Sequence, residues 1–144
     1  MSEILQLRIE LIHTSIWRRV LVYKKSSFYD LHRVIQTVME WHNAHPHEFR
    51  VDQDTFISSE HTDLGFGERS YLSEEKTQLD EFLDSSCAAI TYLYDFGDNW
   101  RHQIETEELL DKDPDKDYPV CIGGEKQAPP EDCGGVPGYQ RILS

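Results

Sequence analysis

The sequence predicts an α+β fold in which an antiparallel or mixed β-sheet, built from hairpins, is packed by one main amphipathic helix. Two stretches, Leu5–Leu11 and Ile90–Phe96, alternate apolar and polar residues as half-buried strands do. Between them, Leu31–Met39 carries apolar residues at helical spacing. The Gly- and Pro-rich stretch Tyr118–Gly138 predicts a long irregular loop near the C-terminus. Because no change in composition divides the 144 residues, we expect one domain over residues 1–144.

The first two strands are expected to pair as a hairpin. One is the alternating stretch Leu5–Leu11, and the other runs from Ile16 to Tyr23, where β-branched and aromatic residues favour a strand. The short link His13–Ser15 between them suits an antiparallel pair.

A helix is predicted after this hairpin, since Ser27 can cap its first turn and Asp30 favours a helix N-terminus. We expect the helix to end near Trp41–Asn43, because Pro46 prevents its continuation. Its apolar face comprises Leu31, Val34, Ile35, Val38 and Met39. Its polar, exposed face is expected to comprise Arg33, Gln36, Thr37 and Glu40.

The middle of the chain is predicted to be mostly loop. Glu48–Val51 indicates a short strand, and the polar stretch Asp52–Ser73 indicates a long loop with a short strand near Thr55–Ser58. Ser73 followed by two glutamates is typical of a helix start, and the helix would bury Leu79, Phe82 and Leu83.

A second hairpin is predicted over residues 90–107. Ile90–Phe96 supplies one strand, Gly97–Asn99 supplies turn residues that tolerate positive φ, and the return strand begins at Trp100. The acidic stretch Asp111–Asp117 then reads as a linker. One face of the return strand is expected to hold Trp100, His102 and Ile104.

The charge distribution disfavours broad, non-specific nucleic-acid binding. The net charge is −13, and residues 51–144 hold seven basic against 22 acidic residues. Such a surface repels phosphate backbones. Residues 1–50 hold seven basic against five acidic residues, so Arg18, Arg19, Lys24 and Lys25 form either a small basic patch or a solvated strand and turn.

The sequence predicts a cytoplasmic protein without membrane association. No apolar run approaches the roughly 20 residues that span a bilayer. The N-terminus lacks the basic region and apolar stretch of a signal peptide. Three cysteines in such a chain are expected to be free thiols.

A metal site is one candidate chemistry. Zinc prefers imidazole and thiolate ligands, but eleven residues separate Cys121 from Cys133, which is not the short spacing of a zinc knuckle. The same side chains fit hydrogen-bonded packing residues, so the sequence assigns no metal and no cofactor. The weak ligand candidates are His45, His47, His102, Cys121 and Cys133.

A thiol nucleophile is a second candidate. Cys133 stands beside two glycines, and His102 could serve as its base if the fold brings the two together. Against this, the adjacent Glu131 and Asp132 are expected to raise the pKa of the thiol.

Paired carboxylates are a third candidate. Asp95 and Asp98 flank the second hairpin turn, and Glu131 and Asp132 lie in the predicted loop. Paired acids can divide acid and base roles or hold Mg²⁺. An Asp at a hairpin turn more often bonds nearby backbone N–H groups.

Taken in order, these segments resemble the plasmid pRiA4b ORF-three-like family, some of whose members are labelled insertion-element passenger proteins. The resemblance runs along almost the whole chain and is strongest at Tyr94–Asp98 with Trp100 and His102, and at Pro129–Gly135 with Gly138-Tyr139. It further includes Ile16–Val20, Leu31–Gln36 to Trp41, His45, His47–Phe49, Cys121 and Gly123-Gly124.

The resemblance implies a compact α+β domain without an established enzymatic activity, substrate or cofactor. It also implies an association with plasmid or mobile-element genes, although nothing in the chain resembles the catalytic serine motif of a resolvase. Members often continue past Gly138-Tyr139 with a longer acidic helical tail. At Ser144 two alternatives therefore stay open, a member without the tail and a shortened chain.

Two classes of function remain. In the first, the protein is a binding module for a protein or small molecule, and aromatic side chains beside polar groups form its contact surface. The expected contact residues are His45, His47, Tyr94, Trp100 and Tyr139. The alternative is a hydrolytic or metal-assisted enzyme, whose candidate residues are Asp95, Asp98, His102, Glu131, Asp132 and Cys133. We further expect Tyr118–Gly138 to pack against the hairpin Tyr94–His102.

Overall fold

Eight strands form one mixed sheet within residues 2–43, 45–52, 55–58, 70–85 and 88–126, the part of the chain that the computed structural model describes. Two helices accompany the sheet in these residues, α1 (Phe28–Val38) and α2 (Asp80–Leu83). The strands are β1 (Ile4–Leu11), β2 (Trp17–Tyr23), β3 (His47–Arg50), β4 (Thr55–Ser58), β5 (Ser70–Ser73), β6 (Ala89–Tyr94), β7 (Trp100–Leu110) and β8 (Val120–Glu125).

The strands lie side by side in the order β5-β4-β3-β6-β7-β1-β2-β8. β4 and β5 run parallel, and the other described pairs are antiparallel, so the prediction of a mixed sheet is confirmed. The predicted hairpins β1–β2 and β6–β7 are both present. Since the described helices are only 11 and 4 residues long, the predicted α+β class is corrected to a sheet-dominated fold.

Helix α1 lies over the sheet and is held at both ends by local hydrogen bonds. The Ser27 hydroxyl accepts from the Asp30 N–H, and the Asp30 carboxylate accepts from the Ser27 N–H, which completes a capping box. At the other end Glu40 takes a φ of 60°, and the Trp41 N–H donates to the Gln36 carbonyl. This Schellman-type turn directs Trp41 back into the core.

The core lies between α1, α2 and one face of the sheet. Alternate residues of β1 supply it, as period-two alternation predicts, and α1 adds Phe28, Leu31 and Ile35. Gln36 was expected on the exposed face of α1, which is wrong, because its side chain is 5% exposed. Its burial is compensated by two hydrogen bonds, described below.

Three predictions of irregular structure or helix are wrong. Ser70–Ser73, expected to end a loop, is strand β5, which pairs in parallel with β4. The helix expected to start at Ser73 is α2, which starts at Asp80 after a turn. Val120–Glu125, expected to be irregular, pairs with β2 as strand β8. The rest of the expected loop, residues 127–138, lies outside the described residues.

The helices in the described part of the chain are too short, or too polar, to cross a membrane.

Candidate functional site

The β6–β7 hairpin carries its aromatic residues inward. In its register Tyr94 faces Trp100 and Tyr92 faces His102. Tyr94 and Trp100 are both 0% exposed, and Trp41 stacks on Tyr94 with ring centroids 5.0 Å apart. The prediction that Tyr94 and Trp100 form an exposed contact surface is therefore wrong. Large aromatic side chains on a sheet face covered by a helix become core.

His102, a candidate for catalytic base and for metal ligand in the sequence, is fully buried in this core. Its Nδ1 lies 3.3 Å from the Tyr92 carbonyl oxygen, so Nδ1 carries the proton and donates it. Its Nε2 is buried without a hydrogen-bond partner among the described residues. Burial lowers the pKa of His102 to about 4, which keeps the ring neutral at pH 7.

A closed ring of four hydrogen bonds joins α1, the turn after it and β6. The His32 Nε2–H donates to the Asn43 Oδ1 at 2.8 Å, and the Tyr92 hydroxyl donates to the His32 Nδ1 at 2.7 Å. The Gln36 Nε2–H donates to the Tyr92 hydroxyl at 3.1 Å, and the Asn43 N–H donates to the Gln36 Oε1 at 2.7 Å. All four directions agree with one tautomer of His32, in which Nε2 carries the proton. The ring ties the end of α1 to the sheet.

His47 lies directly against this ring. Its imidazole stacks on that of His32, with centroids 3.5 Å apart and planes within 7°. Its Nε2 lies 2.7 Å from the Glu74 carboxylate, which is also buried. Burial, and secondarily the neighbouring His47, lowers the pKa of His32 to about 4. Inside the protein, the neutral imidazole of His32 therefore stacks on a histidine, His47, that is hydrogen-bonded to the Glu74 carboxylate.

Asp95 and Asp98 belong to the turn rather than to an open pair of acids. Asp95 takes a φ of 60°, and its Oδ1 accepts from the N–H groups of Gly97 at 3.1 Å and Asp98 at 3.2 Å. Its other oxygen, Oδ2, lies 3.6 Å from the His45 Nε2. Asp95 thus holds the turn and the loop that bears His45 together.

Cys121 lies apart from the histidines. It is exposed on β8, three strand spacings from β7 and therefore about 14 Å or more from His102. Within the described ranges, no three His, Cys, Asp or Glu side chains converge as they would around a metal ion. Glu131, Asp132, Cys133 and Tyr139 lie outside those ranges, so the thiol-nucleophile candidate, Cys133 with His102 as its base, stays a prediction.

The expectation that Tyr118–Gly138 packs on the β6–β7 hairpin is wrong for its first part. Val120–Glu125 pairs with β2, on the far side of β1 and β7 from β6. The β2 edge offers unpaired backbone groups to this segment, and a register shift between Arg19 and Val20 accommodates it. The remainder of the segment lies beyond the described residues.

A groove of about 540 Å³ opens between α1 and the sheet edge formed by β2 and β8. Its floor is apolar and is lined by Val22, Leu31, Val34, Val38, Leu79 and Val120. Tyr23 and Tyr118 close one side, with their rings edge to face at 5.3 Å. Val34 and Val38 belong to the apolar face of α1 that the sequence predicts, and the structure leaves both only half-buried. The apolar face of α1 is therefore wider than the part that the sheet covers.

The rim of the groove is polar. Asp30, Arg33 and Thr37 of α1 border it, and Cys121 borders it from β8. The Asp30 carboxylate is engaged in the capping box, and Thr37 Oγ1 donates to the Arg33 carbonyl at 2.9 Å. Arg33 is exposed, and its guanidinium makes no ion pair with the residues that the structure describes. The groove therefore has an apolar floor with hydrogen-bonding groups at its border.

Four residues of the buried network escaped sequence reasoning. His32 and Gln36 lie in α1 beside residues of its apolar face. Tyr92 is one of the alternating residues of β6, and Glu74 directly follows β5. The available signal was the helical position of His32 and Gln36, one turn apart on the flank of the apolar face. Their partner, the Tyr92 hydroxyl, lies on β6 of the sheet, and no local pattern in the sequence predicts that contact.

Comparison with known proteins connects this fold to a family. The family model described as plasmid pRiA4b ORF-3-like protein matches residues 3–144. An uncharacterised protein, y4hQ, of Sinorhizobium fredii (strain NBRC 101917 / NGR234) is 31% identical over 143 residues, which are 98% of this chain and 72% of that protein.

A solved structure agrees with both. The crystal structure of a protein of unknown function, MM3350, from Methanosarcina mazei Go1 is similar with a TM-score of 0.87 and 35% sequence identity. The similarity covers 99% of this chain and 81% of that one. The match of the family model and the 31% identity to y4hQ, given above, show the family of this chain. The chain belongs to the plasmid pRiA4b ORF-3-like family.

Proposed function

We propose that the protein is a binding module and that its ligand occupies the groove between α1 and β8. The observation that carries the proposal is the groove itself, whose volume of about 540 Å³ and apolar floor match the usual size and lining of ligand sites. Polar groups at its border, above all the Arg33 guanidinium, would orient an apolar ligand that bears a hydrogen-bond acceptor such as an amide carbonyl. The association with plasmid or mobile-element genes comes from the family name and adds no chemistry to this site.

Binding is favoured over the enzyme alternative by the state of the candidate catalytic residues. His102 is buried under Trp41, and Asp95 is occupied by the turn. A catalytic group must reach its substrate, and these two do not border the groove. The alternative now depends on Asp98, Glu131, Asp132 and Cys133, and it stays a prediction.

A fragment screen tests the proposal. We expect small aromatic and aliphatic amides, added to uniformly ¹⁵N-labelled protein, to shift the amide resonances of Val34, Val38 and Val120. Hits that gather elsewhere, or a screen without hits at about 1 mM, would contradict the proposal, since fragments bind true pockets in this range.

A matched pair of variants locates the site. Val34→Trp fills the groove and is expected to weaken the best fragment at least tenfold. Gln103→Trp introduces the same side chain at an exposed position of β7, away from the groove, and is expected to leave binding unchanged. Equal binding to both variants would show that fragments use another site.

A further inference from the structure

We infer that the natural occupant of the groove is an extended segment of a partner protein that adds to the sheet as a strand beside β8. This inference depends on the proposed function and narrows the ligand to a class of partner. Its chemistry is that of a cationic β-strand, with apolar side chains at alternate positions and Lys or Arg beside them.

The outer edge of β8 is the first observation. β8 ends the sheet and, within the described residues, pairs with β2 alone. An edge strand presents a row of backbone N–H and C=O groups that another chain can pair with. Proteins usually protect such edges with inward-pointing charges, prolines or covering loops. The central residues Cys121–Gly124 carry no charge, and Ile122 is 46% exposed.

The position of the groove is the second observation. Val120 and Cys121 belong to β8 and also line the groove, so the outer edge of β8, which no other described strand pairs with, and the apolar floor are continuous. A strand added to β8 would lie about 4.8 Å beyond it. Every second side chain of that strand would then point toward α1, over Val34 and Val38. Peptide recognition by strand addition uses this division, in which the main chain gives affinity and the side-chain pockets give specificity.

Charge decides between a partner protein and a second copy of the chain. The protein carries a net charge of −13, and Asp111–Asp117, immediately before β8, holds four Asp against two Lys. Two copies meeting at their β8 edges would each carry this net charge of −13, and their mutual repulsion is electrostatically unfavourable. A cationic strand carries the opposite charge to the protein and gains both encounter rate and specificity.

The test uses a phage-displayed library of random eight-residue peptides, selected on the immobilised full-length protein. We expect enriched peptides to alternate apolar residues and to contain Lys or Arg. The enriched sequence is then synthesised with a fluorescent label, and its affinity is measured by anisotropy. We expect Ile122→Lys to weaken binding at least tenfold, because a charge in the middle of the edge strand opposes pairing.

Leu72→Lys is the matched control, since Leu72 lies on β5, the opposite edge of the sheet, and is 37% exposed. It is expected to bind the peptide as the unchanged protein does. A second measurement needs no variant: N-methylation of the peptide at successive residues should abolish binding at alternate positions, where the peptide N–H donates to β8.

The inference is overturned if no peptide is enriched, if Ile122→Lys binds as tightly as Leu72→Lys, or if N-methylation has no alternating effect. A concentration-dependent dimer in sedimentation that Ile122→Lys abolishes would overturn it in favour of a second copy. Fragments that still bind the groove when no peptide does leave the proposed function standing and remove only this inference. Failure of the fragments as well removes both.

Discussion

His32, on the inner side of α1, is 0% exposed, and His102 in β7 is likewise 0% exposed. A buried polar side chain costs free energy unless its donors and acceptors find partners. His32 finds both its partners in Tyr92 and Asn43, whereas His102 has a described partner for Nδ1 only. At the scale of residues, His102, a candidate site residue in the sequence, and His32, which was not a candidate, are thus both parts of the core.

His32 and His102 are expected to make the protein less stable as the pH is lowered. Burial lowers the pKa of His32 and of His102 from 6.5 to about 4. Between pH 6.5 and pH 4 the unfolded chain therefore binds more protons than the folded one, and the free energy of unfolding decreases as the pH falls through this window. Each group contributes up to about 1.4 kcal/mol per pH unit.

Urea unfolding between pH 7 and pH 4.5 measures this slope. His102→Leu is expected to reduce it by up to about 1.4 kcal/mol per pH unit, since the variant cannot take up that proton. His13→Asn, at an exposed turn position with a φ of 69°, changes a histidine that is outside the core and should keep the slope. An unchanged slope in His102→Leu would mean that His102 titrates normally in the folded protein.

At the scale of elements, the two glycines of β8, Gly123 and Gly124, differ in the space around them. A Cβ at Gly124 would lie 2.7 Å from the Trp17 carbonyl oxygen and 2.8 Å from the Arg18 Cδ. A Cβ at Gly123 would meet the Trp17 ring at 3.8 Å, which is an ordinary contact. Only Gly124 is therefore required by the close approach of β8 to the backbone of β2.

Gly124→Ala is expected to lower the free energy of unfolding by about 1–3 kcal/mol, because the added methyl group clashes with backbone. Hydrogen exchange should at the same time lose protection in β8. Gly123→Ala is the matched control and is expected to change stability by less than about 0.5 kcal/mol. Equal effects of the two variants would refute the described pairing of β2 with β8.

At the scale of the whole molecule, two of the basic side chains near the N-terminus, Arg19 and Lys25, are paired with carboxylates. Arg19 forms two contacts with Glu107, at 2.6 and 3.0 Å, and Lys25 pairs with Asp80 at 2.7 Å. Arg18 donates to the Val38 and Glu125 carbonyls. With a net charge of −13 as well, we expect the molecule not to bind phosphate backbones non-specifically.

We accordingly expect no binding of a random 20-base-pair DNA duplex at 150 mM salt, a condition in which non-specific binders typically have a Kd of about 10⁻⁴–10⁻⁶ M. Fluorescence anisotropy with a labelled duplex and with a labelled single strand measures this directly. A micromolar Kd that weakens steeply as salt is raised would contradict the expectation and would indicate a concentrated basic patch.

Some features could be predicted because they are local. The β1–β2 and β6–β7 hairpins follow from alternation in neighbouring segments and from turn residues such as Asn99, whose φ is 59°. Strand β8 could not be predicted in this way. Its two glycines and the flanking prolines read as a loop, and it became a strand because β2 offers an open edge to Val120–Glu125.

The alternating strands, the capped start of α1 at Ser27, the charge that disfavours nucleic acid and the family of the chain could all be recognised from local patterns and composition. Tertiary structure alone decided which of the notable side chains face solvent. It buried Tyr94, Trp100 and His102, joined His32 and Gln36 to Tyr92, and left a groove beside β8. The physical reason is that burial and hydrogen bonding join segments far apart in sequence, such as His32 and Tyr92, which are 60 residues apart. Periodicity within one segment carries no information about such partners.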